Sequence, residues 1–187
     1  MRKESRLLWG VDPSLTCTGV TIYDLDNEKI LYIGSFNTEK IKKQKGLYHN
    51  AIKLKHKYDW LTKLKELYPP SVVAIERGFT RFNTSTQTTY RAHGVVNLMF
   101  WDIPIVYYPS KKVKAAIFHG DAEKDEVKRV IQNNFIDVQF ANTDESDSFA
   151  VMLTYLIENS LYTIEKPIVE KKVKKKKNTR KTKKKKE

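Results

Sequence analysis

Two apolar, β-type runs in this 187-residue sequence each end on a carboxylate. Leu7-Leu8-Trp9-Gly10-Val11 stops at Asp12, before Pro13-Ser14, and Val72-Val73-Ala74-Ile75 stops at Glu76. A carboxylate taken out of water costs several kcal/mol unless something compensates it. At a strand end the compensating partner is water, a backbone nest, a phosphate or a metal ion. A third acidic point, Asp144-Glu145-Ser146-Asp147, opens an apolar segment. It sets two carboxylates at i and i+3, on one face of a helix's first turn. Taken alone, that pair suits helix capping and the positive end of the macrodipole. The next turn, with Phe149, Ala150 and Leu153, makes the helix a buried one, so its leading acids point along a sheet. Four converging carboxylates form an oxygen-rich site of the kind that holds Mg²⁺ or Mn²⁺. Two such ions about 4 Å apart activate a water and stabilise the attacking and leaving oxygens of a phosphodiester. On this reading Asp12, Glu76, Asp144 and Asp147 are metal ligands of a phosphodiester hydrolase.

The elements that must position these acids follow from periodicity and turn chemistry. Three β-type runs, 6–12, 18–24 and 29–36, are separated by Pro13-Ser14 and by Asp24-Leu25-Asp26-Asn27, which predicts an antiparallel meander. Leu47, Ala51, Leu54, Tyr58 and Leu61 recur at spacings of three and four, the apolar face of a helix over about 47–67, halted at Pro69-Pro70. A strand at 72–76 follows, then a helix over 84–100 that buries Val95, Val96, Leu98 and Met99. A further strand is predicted at 103–108, a helix over 123–135 through Val127, Val130, Ile131 and Phe135, and a last helix from near Asp144. Crossover helices before the fourth and fifth strands favour parallel neighbours. The expected fold is α/β: a mixed five-stranded sheet with helices on both faces, and Asp12 and Glu76 at the carboxyl ends of adjacent strands, where sites collect.

Charge divides the chain. From Lys166 onward lie 13 of its 35 basic residues and two of its 22 acids, so a net +11 of the total +13 sits in that segment. The expected organisation is one domain over 1–163 and a disordered Lys-rich tail over 164–187. A polyanion is the tail's natural partner, bound without sequence preference and weakened by salt; a solubility role is the plainer alternative. No apolar stretch approaches the roughly 20 residues of a membrane span, and no signal-peptide pattern is seen. The single cysteine, Cys17, excludes an internal disulfide framework, reads as a small packing residue, and suits a reducing, cytoplasmic setting.

Four blocks carry a family resemblance: GVDPSLTCTGV, VAIERGF with Asn83 seven residues after Glu76, VKAAIFHGDAEKDEV, and DESDSFAVMLTYL. In this order and spacing, over about residues 7–158, the chain resembles the RuvC family of Holliday junction resolvases. The resemblance implies an RNase H-like fold, a homodimer, and Mg²⁺-dependent symmetric nicking of four-way DNA junctions, with Mn²⁺ able to substitute and two ions per site. Asp12, Glu76, Asp144 and Asp147 match the family's metal-binding acids. Lys114 and Lys124 resemble its catalytic-site lysines, which steady negative charge on the phosphate; alone, each reads as a solvated surface residue. Phe79 resembles the aromatic that inserts at the junction centre, where stacking is worth roughly 1–3 kcal/mol. By sequence alone it could equally be a core aromatic, and Phe82 is a second candidate wedge. Arg77, Arg81 and Asn83 around it, and Lys111 and Lys112 ahead of Lys114, complete the candidate nucleic-acid contacts.

There are departures from that pattern. His93 stands where the family has arginine, with Arg91 two positions earlier. The stretches 76–94 and 114–124 are each one residue shorter than in the bacterial enzymes, and the Lys-rich tail has no counterpart. Substrate specificity is where such differences act. The leading expectation is a junction-resolving endonuclease, dimeric through the helix near 84–100; a broader flap- or fork-cutting nuclease is its near variant. An actin-like or sugar-kinase-like ATPase needs a second phosphate loop and a longer chain. A nuclease-dead binding module is disfavoured because every acid is present.

Overall fold

The computed structural model describes residues 5–78 and 83–167, apart from the side chains of 83–85. The chain opens with β1 (Leu7–Asp12), β2 (Cys17–Asp24) and β3 (Lys29–Asn37), the expected antiparallel meander. The second turn closes because Asp24 accepts hydrogen bonds from the amides of Asp26 at 3.0 Å and Asn27 at 2.9 Å, an Asx turn. There follow α1 (His49–Leu67), β4 (Val72–Arg77), α2 (Asn83–Met99), β5 (Ile105–Pro109), α3 (Ser110–Ile117), α4 (Lys124–Asn134) and α5 (Thr143–Glu158). The strands form one mixed sheet in the order β3-β2-β1-β4-β5, with β4 parallel to both β1 and β5.

Each face of this sheet is closed by helices, and strand alternation assigns the residues. Leu8 and Ala74 point to the face covered by α3, α4 and α5, where Val113, Ile131, Phe149 and Leu153 are buried. Trp9, Val11, Val73 and Ile75 point to the other, against Leu61 and Leu64 of α1 and Val96, Met99 and Phe100. Burying each large side chain is worth about 1.5–3 kcal/mol, so the two clusters fix which way the strand-end acids can face.

Four sequence expectations need correction. The buried face of α1 is Ile52, Lys57, Leu61 and Leu64, whereas Leu47, Ala51 and Tyr58 are exposed. A lysine on the core side weakened the true stripe and made its neighbour look apolar. Leu98 is exposed although it lies among buried residues of α2. Residues 110–117, for which no element is expected from the sequence, form α3, directly after β5. The packed chain also continues past 163: Ile164 is buried, the Asn134 side chain bonds both backbone groups of Glu165, and Lys166 Nζ donates to the Ala115 carbonyl.

Candidate active site

The parallel pairing of β1 and β4 sets Val11 opposite Ile75, so Asp12 and Glu76 follow at the same edge of the sheet. Two glycines then let α5 descend onto that edge. A Cβ on Gly19 would collide with the backbone of Asp144, and one on Gly10 with Ser148 and Met152. A hydrogen bond of 3.0 Å between the hydroxyls of Thr21 and Ser148 ties the helix down. Asn142 caps α5 by accepting from the Glu145 amide at 3.0 Å. Glu145 is buried and structural, accepting from Ser35 Oγ at 3.1 Å and the Ala141 amide at 2.7 Å. Capping therefore falls to Asn142, and Asp144 and Asp147 are left facing the sheet edge.

The acids act on one another. Burial pushes the Asp12 carboxyl well above the usual carboxylate range; Glu76, Asp147 and Asp144 push it further, and Lys124 opposes them. Glu76 is also raised by burial, restrained by a hydrogen bond from Ser110, with Asp147 raising it and Lys124 and Lys114 lowering it. Burial pulls the Lys124 ammonium down, but its bond to Asp147 and its attraction to Asp12 and Glu76 outweigh that. Lys114 is aimed by its bond to the Ala122 carbonyl, 2.6 Å. A small recess brings Glu76, Ser110, Lys114, Lys124 and Asp147 together. Beside it opens a cleft of about 710 Å³ lined by Asp12, Glu76, Arg77, His93, Lys111 and Lys114, among others.

Among the described residues, no three His, Cys, Asp or Glu side chains stand close enough together to hold a cation as arranged. Asp147 is taken up by Lys124. The donor set nevertheless suits a hard divalent cation. Oxygen ligands predominate, and burial together with neighbouring acids raises Asp12 and Glu76, a cost that added positive charge would relieve.

The expected nucleic-acid contacts divide. Arg77 and Lys111 line the cleft, Lys111 within 3.5 Å of Asp121. Lys112 turns aside, paired with Glu158 at 2.6 Å and lying over the Tyr108 ring. Asn83 begins α2, and Phe79, Arg81 and Phe82 lie outside the described residues. His93 is buried against Gly78 at the cleft, while Arg91 is exposed and donates to Tyr48 Oη at 2.7 Å. Sequence reasoning missed three features. Ser110 needed α3 to be seen. Lys57 is a charged residue inside an apolar stripe. The run Lys40, Lys42, Lys43 and Lys45, plain in the sequence, leaves β3 on the side of the sheet where β2 begins and β1 ends.

Comparison with known proteins agrees with this architecture. The family Crossover junction endodeoxyribonuclease RuvC matches residues 8–155. The crossover junction endodeoxyribonuclease RuvC of Christiangramia forsetii is 30% identical over 158 residues, covering 82% of this chain and 80% of the relative. That of Polynucleobacter asymbioticus is 31% identical over 148 residues, covering 77% and 84%. Among solved structures, T. thermophilus RuvC in complex with Holliday junction substrate superposes with a TM-score of 0.68 at 19% identity, covering 86% of this chain and 98% of that one. The yeast mitochondrial Holliday junction resolvase Ydc2 gives 0.56 at 14% identity, covering 84% and 82%. With a family match spanning most of the globular part and an RNase H-like sheet carrying its acids at one edge, the chain belongs to the RuvC family of crossover junction endodeoxyribonucleases.

Proposed function

We propose that this chain is a divalent-metal-dependent endonuclease that resolves four-way DNA junctions by paired, symmetric nicks, leaving 5′-phosphate and 3′-hydroxyl ends. One observation carries the reading: the half-buried carboxylates ending β1 and β4 are raised by burial and by the acids around them, Asp147 of α5 among these, at the mouth of a cleft edged by lysines. Asp12, Glu76, Asp144 and Asp147 would hold the cations, two per site. Mg²⁺ or Mn²⁺ bound there supplies charge neutralisation at the scissile phosphate and an activated water. The chain's own part is positional. Ser110 orients Glu76, and Lys114, braced on Ala122, offers an ammonium where phosphate charge accumulates. As substrate arrives, Lys124 would turn to the phosphate and free Asp147 for a cation. Arg77, Arg81, Asn83, Lys111 and the lysines of residues 40–45 meet the DNA backbone, and Phe79, or Phe82 as the second candidate, stacks at the junction centre. Lys112, paired away from the cleft, has no part in this.

Paired nicking needs two sites related by a two-fold axis. A second copy would dock along α2, whose Tyr90 and Leu98 are 57% and 67% exposed, with open space over Gly94 between them and Trp101, 79% exposed, just past the helix end. Such an apolar stripe on an otherwise charged protein fits a self-complementary contact.

The test is cleavage of a four-way junction, a fork and a linear duplex, each with and without Mg²⁺, by wild type and Glu76→Gln. Junction-selective, Mg²⁺-dependent nicking lost in the variant is the expected result. Equal cutting of fork and junction would replace it with the broader branched-DNA reading. Metal-independent cleavage, or full activity of Glu76→Gln, would overturn it.

A further inference from the structure

One buried charge near the site has no part in the chemistry above. Lys57, in the middle of α1, is 2% exposed, on the face that otherwise buries Ile52, Leu61 and Leu64. Its ammonium donates to the Ser14 carbonyl and, at 2.8 Å, to Thr18 Oγ1. Thr18 closes the same knot, donating to the Ser14 carbonyl at 2.9 Å and accepting from the Ser14 amide at 3.3 Å. Ser14 Oγ in turn accepts from the amides of Thr16 at 3.2 Å and Cys17 at 3.5 Å. This is the turn that begins one residue after Asp12. Burial, with repulsion from Lys53 added to it, brings the Lys57 ammonium down to about 8 against the attraction of Cys17, Asp144 and Asp12.

Stability does not explain a lysine here. Taking an ammonium out of water costs several kcal/mol, and a well-packed apolar residue of similar volume is often neutral or better. A helix that buries leucine and isoleucine on either side of this position could bury a methionine. What a lysine adds is a two-pronged donor reaching from α1 to the far end of the β1–β2 turn, and a positive charge beneath the acids.

We propose that Lys57 is a positioning residue for Asp12: it braces the Pro13–Thr18 turn from beneath, holding the Asp12 carboxylate where the metal geometry requires it. The inference rests on the metal-nuclease reading. It makes a distinction that a general loss of stability does not. Mg²⁺ demands near-ideal octahedral geometry, and the larger Mn²⁺ is more forgiving, so a displaced Asp12 should penalise the two metals unequally.

The experiment compares full-length wild type, Lys57→Met and Thr18→Val. Metal-free amide exchange is read first. In Lys57→Met the amides of Ser14, Thr16 and Cys17 should exchange about tenfold faster, the loss of roughly one hydrogen bond, with α1 and β4 unchanged. Single-turnover cleavage of a four-way junction is read second. The Mg²⁺-supported rate should fall about 10²-fold, the Mn²⁺-supported rate about tenfold less steeply, with junction affinity in Ca²⁺ unaltered. Thr18→Val, which keeps the lysine but removes its Thr18 acceptor together with Thr18's own two bonds to Ser14, should shift both readouts the same way, and carries the test if Lys57→Met does not fold. Equal losses in the two metals, or faster exchange spread over α1, would make Lys57 a plain structural residue and overturn the proposal. A wild type that cleaves nothing with either metal would overturn the nuclease reading instead, while the exchange data would still judge the brace.

Discussion

Asp12 is the residue at which function and stability oppose each other. Its carboxyl is raised by burial and by three other acids, so the ionised, metal-free site is a source of repulsion. Asp12→Asn should therefore raise the melting temperature of metal-free protein by about 2–4 °C, the shift expected for about 1 kcal/mol in a chain of this size. The same change should cut junction cleavage about 10³-fold, since the lost ligand removes several kcal/mol of transition-state stabilisation. Calorimetry in EDTA and a cleavage assay check the two halves. Lys57 gives a pH signature. Its folded pKa is about 8 against an ordinary 10.5, so between these values the unfolded chain binds more protons and stability rises with pH. Urea unfolding should show a gain of about 1 kcal/mol from pH 8 to 9, absent in Lys57→Met. Above pH 9 the gain is opposed by Cys17, whose thiol burial pushes up to about 11, and then by tyrosines raised in the same way. Asp12 and Glu76 were legible in the sequence because a charge ending an apolar run is costly and visible. Lys57 was not, because one lysine within a helix gives no sign of which face it occupies.

At the scale of elements, the site depends on how closely α5 approaches β2. Gly19 makes that approach possible: an added Cβ would meet the backbone of Asp144, which no side-chain rotation relieves. Gly19→Ala should cost about 1–3 kcal/mol in denaturant unfolding. It should also lower cleavage more than its stability loss explains, because Asp144 is carried away with the helix. A variant as active as wild type would show that α5 is free to tilt without disturbing the site. The strands and their order were readable from alternation and turn residues, and the crossover helices made β4 and β5 parallel. The face of α1 was not, since its core side carries a lysine while Leu47 precedes the helix altogether. Nor was α3. Its eight residues, three of them lysines, are too few to show a helical period, and Pro109 before Ser110 marks a helix start only once a helix is suspected.

For the whole molecule, two features of the sequence lie apart from the site acids. Residues 168–187, which follow the last described residue, carry twelve Lys or Arg and two acids. If they engage DNA, a chain ending at 167 should bind junction and linear duplex equally more weakly. Its log-affinity against log-salt slope should shrink by about 0.9 for each phosphate released, while the saturated cleavage rate stays the same. Identical slopes would leave the tail a solubility device. The second feature is the α2 stripe. Leu98 is 67% exposed, so Leu98→Lys leaves the fold within about 0.5 kcal/mol of wild type; its effect must fall on association. Wild type should sediment at twice 21.9 kDa and the variant at 21.9 kDa. A supercoiled plasmid with an extruded cruciform then separates one nick from two. Paired nicks across the junction linearise the plasmid, whereas a single nick relaxes it and the cruciform is reabsorbed before a second encounter. The dimer should give linear product and the monomer nicked circles, with the rate of first nicking reduced far less than the yield of linear. A monomeric wild type that still linearises the plasmid would separate symmetric cleavage from this surface and return the stripe to ordinary exposed apolar residues.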